Sequence, residues 1–279
     1  MPEVLKAYSP QENAERFRQD WPDSEEPFRK MGTCWARASD PGEWCSLASE
    51  TIIRNPIPQG EWEGLIAAPE YQGLRPWVPI ILDQDGIGSC ATEATAQGIM
   101  TTKSFAGDEF VQLNPLFVYH HTSGGRDSGS NIDSNLAFAR DKGCAPESVW
   151  GRSQGFRRTP SDDAYDKAKD FKILEFFDVR NIDEFATALL RGWVVIYGRR
   201  GHAITAVGLK DRSTFEYANS WGDWGDAGYG IDTLRGINFG YGAFAVRTTS
   251  STDDILLPKF SKIAVPKFEA YPTFIDTAV

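Results

Sequence analysis

Basic residues are in short supply: 29 Lys and Arg stand against 39 Asp and Glu, a formal net charge of −10. A nucleic-acid partner would call for a basic stripe, so none is expected. Long apolar runs are missing too. Residues 1–30 are charged and polar without the apolar core of a secretory signal, and no stretch approaches the roughly 20 apolar residues of a membrane span. The expectation is a soluble chain with no membrane partner, intracellular or carried in a particle. Internal repeats and low-complexity tracts are absent. Cysteine is scarce, with four residues, too few for a disulfide scaffold in a chain of 279. Cys34 and Cys45 have no second pair of ligands beside them, so no metal site is read and no cofactor is called for. Histidine, with three residues, is scarcer still.

What is present describes a folded globule. The sequence is 41% hydrophobic and 13% aromatic, a globular composition, and 279 residues can bury a substantial core. The chain is organised around Asp83–Met100, DQDGIGSCATEATAQGIM. Asp85 to Ser89 is turn-rich, and the segment after it has helical spacing of small residues. Ser89 reads as an N-cap, which puts Cys90 in the first helical turn. There the macrodipole favours thiolate over thiol and lowers the pKa, so Cys90 is a candidate nucleophile. A cysteine packed as a small hydrophobe is the plainer alternative.

The partners for such chemistry lie far downstream. His202 opens GHAITAVGL, a largely apolar run of buried-strand character, and Asn219 follows a short aromatic strand in FEYANSWGDWGDAGYG. A thiol, an imidazole to take its proton and an amide to orient the imidazole are what thiol-dependent acyl transfer requires.

These motifs resemble those of the papain-like cysteine peptidases, from about Trp77 to about Val246. Gln84 precedes Cys90 by six residues, as the family's oxyanion-hole glutamine does. ANSWGDWGDAGYG resembles its Asn-Ser-Trp-Gly block. LNPLFVYHH and DSGSNIDSNLAFARDKGCAPESVW resemble the middle of bacterial members. The resemblance implies a bacterial or phage type of member without a recognisable inhibitory prosegment. It implies catalytic roles for Cys90, His202, Asn219 and Gln84. A cleft lined by Ser128, Gly129, Gly201 and Trp221 would receive a peptide or protein substrate. Ile87 stands where many secreted relatives have a disulfide cysteine, which suits a reducing compartment. Ala91 and Glu93 replace a tryptophan and a phenylalanine of the relatives. A carboxylate on the dry side of the helix would oppose the dipole by raising the thiol pKa.

The expected architecture is α+β. A helical half carries Cys90, and a compact antiparallel β-barrel half carries His202 and Asn219. Helices are expected at Cys90 to about Phe105, Asn114–His121, Asn131–Lys142 and within NIDEFATALLRG. Strands are expected in RPWVPIILDQ, FKILEFFDV, WVVIYG, Ala203–Lys210, Thr214–Asn219 and Tyr241–Arg247. His120 and His121 are expected to cap or pack, and Cys144 to be structural. Residues 1–70 read as a proline-broken N-terminal extension with short helices in QENAERFRQDW and PGEWCSLASETII. Residues 71–250 read as the domain, and 251–279 as an extended arm with aromatic anchors that wraps the domain or docks on an assembly partner. Two further functions compete with the peptidase: a non-catalytic module of a larger assembly such as a virus particle, and a thiol hydrolase acting on peptidoglycan peptides.

Overall fold

The computed structural model describes residues 53–199 and 201–248, with the backbone of Thr33–Cys34. The two short helices expected in the N-terminal extension, apart from Ile53 at the end of the second, and the 251–279 arm fall outside the described residues.

Strand β1, Thr33–Cys34, pairs in parallel with β2, Ser130–Asn131. Helix α1, Gln59–Ile66, and the residues just before it dock on the second half of the chain. There Ile53 and Trp62 are buried, and Ile57 N donates to Thr187 Oγ1 at 2.8 Å. The RPWVPIILDQ stretch is no regular strand: Arg75–Trp77 forms a 3₁₀ turn, and beyond it Asp83 makes an isolated bridge to Trp221. Pro76 and Pro79 lack the amide hydrogens a ladder needs.

The helical half comes next. Helix α2, Cys90–Phe105, is buried at every residue except Lys103. Its small residues permit that burial. A Cβ on Gly98 would stand 3.3 Å from Ile196 Cδ1 and 3.4 Å from Val194 Cγ2, so the helix axis lies close against the sheet. Helix α3, Pro115–Thr122, starts at an Asn114 cap that accepts from Leu116 N, with proline at the first helical position. Helix α4, Ile132–Asp141, runs to Lys142, and Gly143 comes after it at φ +89°. A Cβ on Gly143 would lie 1.7 Å from Ala168 O, at the end of helix α5, Asp162–Ala168. His120 Nδ1 bonds Phe156 O at 2.8 Å and His121 stacks on Phe138, so both pack as expected. Cys144 is buried with its thiol on Asn114 O, and burial pushes its pKa far up.

The second half is one antiparallel sheet. Its strands are β3 (Glu175–Asp178), β4 (Val194–Arg199), β5 (His202–Leu209), β6 (Thr214–Ala218), β7 (Tyr229–Thr233) and β8 (Ala243–Arg247). Helix α6, Ile182–Leu190, lies between β3 and β4 in sequence. The spatial order is β3-β8-β4-β5-β6-β7. The sheet is not closed into a barrel, which corrects that detail of the expected α+β architecture. Its apolar runs are continuous because both faces are covered. Val194, Ile196, Phe244 and Val246 face the core shared with α2. Val195, Tyr197, Ala243 and Ala245 face the core shared with α6. Among the described residues no helix is long and apolar enough to cross a membrane.

Candidate active site

Cys90 is the first residue of α2 and is buried. Thr92 N and Glu93 N both donate to Ser89 O at 2.9 Å, so the chain turns into the helix at Ser89 as expected. The Ser89 hydroxyl, however, caps no backbone group. It donates to Glu93 Oε1 at 2.9 Å, because that buried carboxylate is the stronger acceptor.

His202 opens β5 and sits opposite Arg199 of β4, two residues separating them. Gly201 takes φ +84° in that tight connection, which a side chain would resist. The sheet then supplies the next partner from the neighbouring strand. His202 Nε2 lies 2.8 Å from Asn219 Oδ1, which also accepts Ser220 N at 2.8 Å. With a carbonyl oxygen as acceptor, Nε2 carries the ring proton and Nδ1 is the basic nitrogen. Burial lowers the His202 pKa to about 4, against the opposing pull of Asn219, so the imidazole is neutral above that pH. Trp221 stacks on the imidazole at 4.6 Å and 23°, and both side chains are buried.

Gln84 is buried beside this group. Its N–H donates to Ser220 O at 2.9 Å. Its Oε1 accepts Ser220 Oγ at 2.7 Å and Trp221 Nε1 at 3.2 Å. Those two donors fix which end of the carboxamide is nitrogen, and Nε2 gives one of its hydrogens to Ile87 O at 2.9 Å. The two halves are tied together behind Cys90, where Thr205 Oγ1 of β5 donates to Ala94 O of α2 at 3.1 Å.

Ser128 and Gly129 flank the turn ahead of α2 from the other side. Gly88 N and Tyr119 Oη both donate to Asp127 Oδ1, at 2.8 and 3.0 Å. Gly129 N donates in turn to Tyr119 Oη at 3.0 Å. Gly129 is buried, with φ +88°, and the next two residues are those paired with Thr33–Cys34. The brace explains the glycine at 88, where a Cβ would stand 3.1 Å from Asp127 Oδ1.

Glu93 is on the dry side of α2 and fully buried, but it is not isolated. Arg152 Nη2 meets Glu93 Oε1 at 2.6 Å, and burial still carries the Glu93 pKa up to about 7. Sequence reasoning does not single out Arg152, Ser220, Tyr119 or Asp127. Arg152 meets Glu93 59 residues away and Asp127 meets Gly88 39 residues away, so no local pattern marks them, whereas Tyr119 pairs with Asp127 eight residues on and Ser220 lies within the Asn-Ser-Trp-Gly block with no role of its own read there. Among the described residues no cluster of three or more His, Cys, Asp or Glu could hold a metal ion.

No protein-family model matches the chain, and no curated protein matches it. Solved structures do. Xylellain, a cysteine protease from Xylella fastidiosa, superposes with a TM-score of 0.59 at 22% identity, over 79% of this chain and 97% of its own. Procathepsin L 3 of the Tenebrio molitor larval midgut gives 0.52 at 16%, over 72% and 79% of the two chains. Bromelain from Ananas comosus, solved with the E64 inhibitor, gives 0.52 at 16%, over 65% and 100%. The chain shares the papain-like fold of these proteases.

Proposed function

We propose that this chain is a cysteine peptidase that cleaves peptide bonds through Cys90, His202 and Asn219. The observation that carries the reading is the His202 Nε2 to Asn219 Oδ1 hydrogen bond of 2.8 Å under Trp221, on a strand packed against the helix that begins at Cys90. An amide-oriented imidazole with a basic Nδ1 has little structural use on a strand that apolar neighbours already hold. It is the group a thiol nucleophile needs.

In this reading the Cys90 proton passes to His202 Nδ1 as the sulfur bonds to the substrate carbonyl carbon. Negative charge moves to the carbonyl oxygen, where the second Gln84 Nε2 hydrogen and the Cys90 N–H stabilise it. Collapse breaks the C–N bond, and the leaving amine takes the proton from His202. Water then attacks the thioester with His202 again as base, which frees the carboxylic acid and restores the thiol. Asn219 keeps the ring in the tautomer that both steps use.

The test is hydrolysis of a fluorogenic peptide library by the wild type, Cys90→Ser and His202→Ala, with E64 labelling followed by peptide mapping. Wild-type turnover is expected with label on Cys90 alone, and both variants should lose at least about 10³-fold in kcat/KM. Because His202 is neutral above about pH 4, the acid limb of kcat/KM should fall near that pH rather than near 6.5. Undiminished turnover in Cys90→Ser overturns the reading.

A further inference from the structure

Arg152 begins a 3₁₀ turn, Arg152–Gln154, just after the Ala-Pro-Glu-Ser-Val-Trp segment, and its guanidinium reaches the start of α2. Nη2 donates to Glu93 Oε1 at 2.6 Å and to the carbonyl oxygen of Asp83, while Nη1 lies 3.4 Å from Glu93 Oε2. The Arg152 amide donates to Glu147 Oε1 at 2.6 Å, which anchors the root of the side chain. Asp85 Oδ2, at 3.8 Å from Nε, is exposed and adds little.

The Asp83 carbonyl belongs to the peptide group whose nitrogen is that of Gln84. Its N–H is taken by Ser220 O at 2.9 Å, two residues past β6 in the sheet half. Its oxygen is taken by Arg152, which is paired to Glu93 on α2 in the helical half. One peptide plane is therefore held at both ends, from both halves, immediately ahead of the glutamine side chain. A forked guanidinium suits that task because one planar group can serve a carboxylate and a carbonyl in fixed directions.

We propose that Arg152 is a positioning residue for the proposed oxyanion donor: paired to Glu93 on the Cys90 helix, it holds the Asp83 carbonyl and so sets Gln84 against Cys90. This rests on the peptidase reading, and it acts on transition-state geometry rather than on the thiol.

The experiment compares Arg152→Met in the wild-type and Gln84→Ala backgrounds, reading peptide kcat and KM beside iodoacetamide alkylation of Cys90, which forms no tetrahedral oxyanion. In the wild-type background kcat should fall about tenfold or more, with KM and the alkylation rate each within about twofold. In the Gln84→Ala background the same substitution should change kcat by less than about twofold, because the group it positions is gone. Removing Arg152 alone strands a buried carboxylate, so Glu93→Leu/Arg152→Met serves where the single variant does not fold, with the same dependence of kcat on Gln84 expected. Equal losses in both backgrounds, or alkylation falling in step with kcat, would overturn the proposal and leave the peptidase reading intact. A wild type without Cys90-dependent turnover would sink both.

Discussion

The sheet half and helix α2 bury their surfaces by different means. The sheet half fills its cores with large side chains such as Phe176, Phe177, Phe185, Tyr197, Phe215 and Phe244, alternating between faces. Helix α2 is buried almost all round, yet its buried residues include Glu93, Gln97, Thr101 and Ser104, spaced along one side. Large apolar groups give the sheet half its cohesion and make it a fixed frame for His202 and Asn219. The helix gains close approach to that frame through small residues, and it tolerates polar groups that a self-sufficient core would exclude.

Truncation in the sheet half should produce the largest effect. Phe185 is fully buried, with rings of Tyr197 and Phe215 at 5.8 and 4.9 Å, so Phe185→Ala should cost about 3–5 kcal/mol in urea unfolding. A loss under about 1 kcal/mol would erase the contrast between the sheet half and helix α2, since core aromatics normally cost several times that.

The helix should answer to pH instead. Burial raises Glu93 from 4.5 to about 7, so across that window the folded state keeps a proton that the unfolded state has released. Stability from this group therefore falls as pH rises from 4.5 to 7, by up to about 3 kcal/mol. His202 has the opposite sign, its depressed pKa adding stability as pH rises from 4 to 6.5. The difference between wild type and Glu93→Gln isolates the first slope: the variant should gain on the wild type with rising pH. A pH-independent difference would mean Arg152 compensates the carboxylate fully.

The smallest expected effect has an unusual sign. Neither amide atom of Gln97 has a hydrogen-bond partner among the described residues, and the side chain is buried. Gln97→Met keeps the shape and removes the desolvated dipole, so it should stabilise by about 1–2 kcal/mol in the same urea titration. A destabilised variant would show that the helix interior is not the weaker of the two.

The same contrast governs what could be read from the sequence. The start of α2 was legible because a glycine-rich turn precedes a segment of helical spacing, β4, β5 and β8 because they are largely apolar runs, and β6 because of its aromatic Phe215 and Tyr217. Strand β7 was not: Tyr229–Thr233 contains a glycine, lies at the sheet edge and exposes Ile231. Helix α5 was not legible either, because Asp162–Ala168 buries only Ala164 and Ala168, too few for a periodic face. The residue types of the candidate site could be recognised from local motifs. Arg152 could not, since its meaning depends on Glu93 and Asp83, which chain order separates and folding alone brings near.

The hydrogen bond from Thr205 to Ala94 spans 111 residues of sequence. Contacts of that separation form late, because loop closure must precede any reward from packing, whereas the hairpin of β4 and β5 closes locally. During synthesis the Cys90 thiol emerges long before His202 and Asn219 exist to act on it. The proposed chemistry is therefore withheld from the nascent chain and becomes available only when α2 docks on the finished sheet.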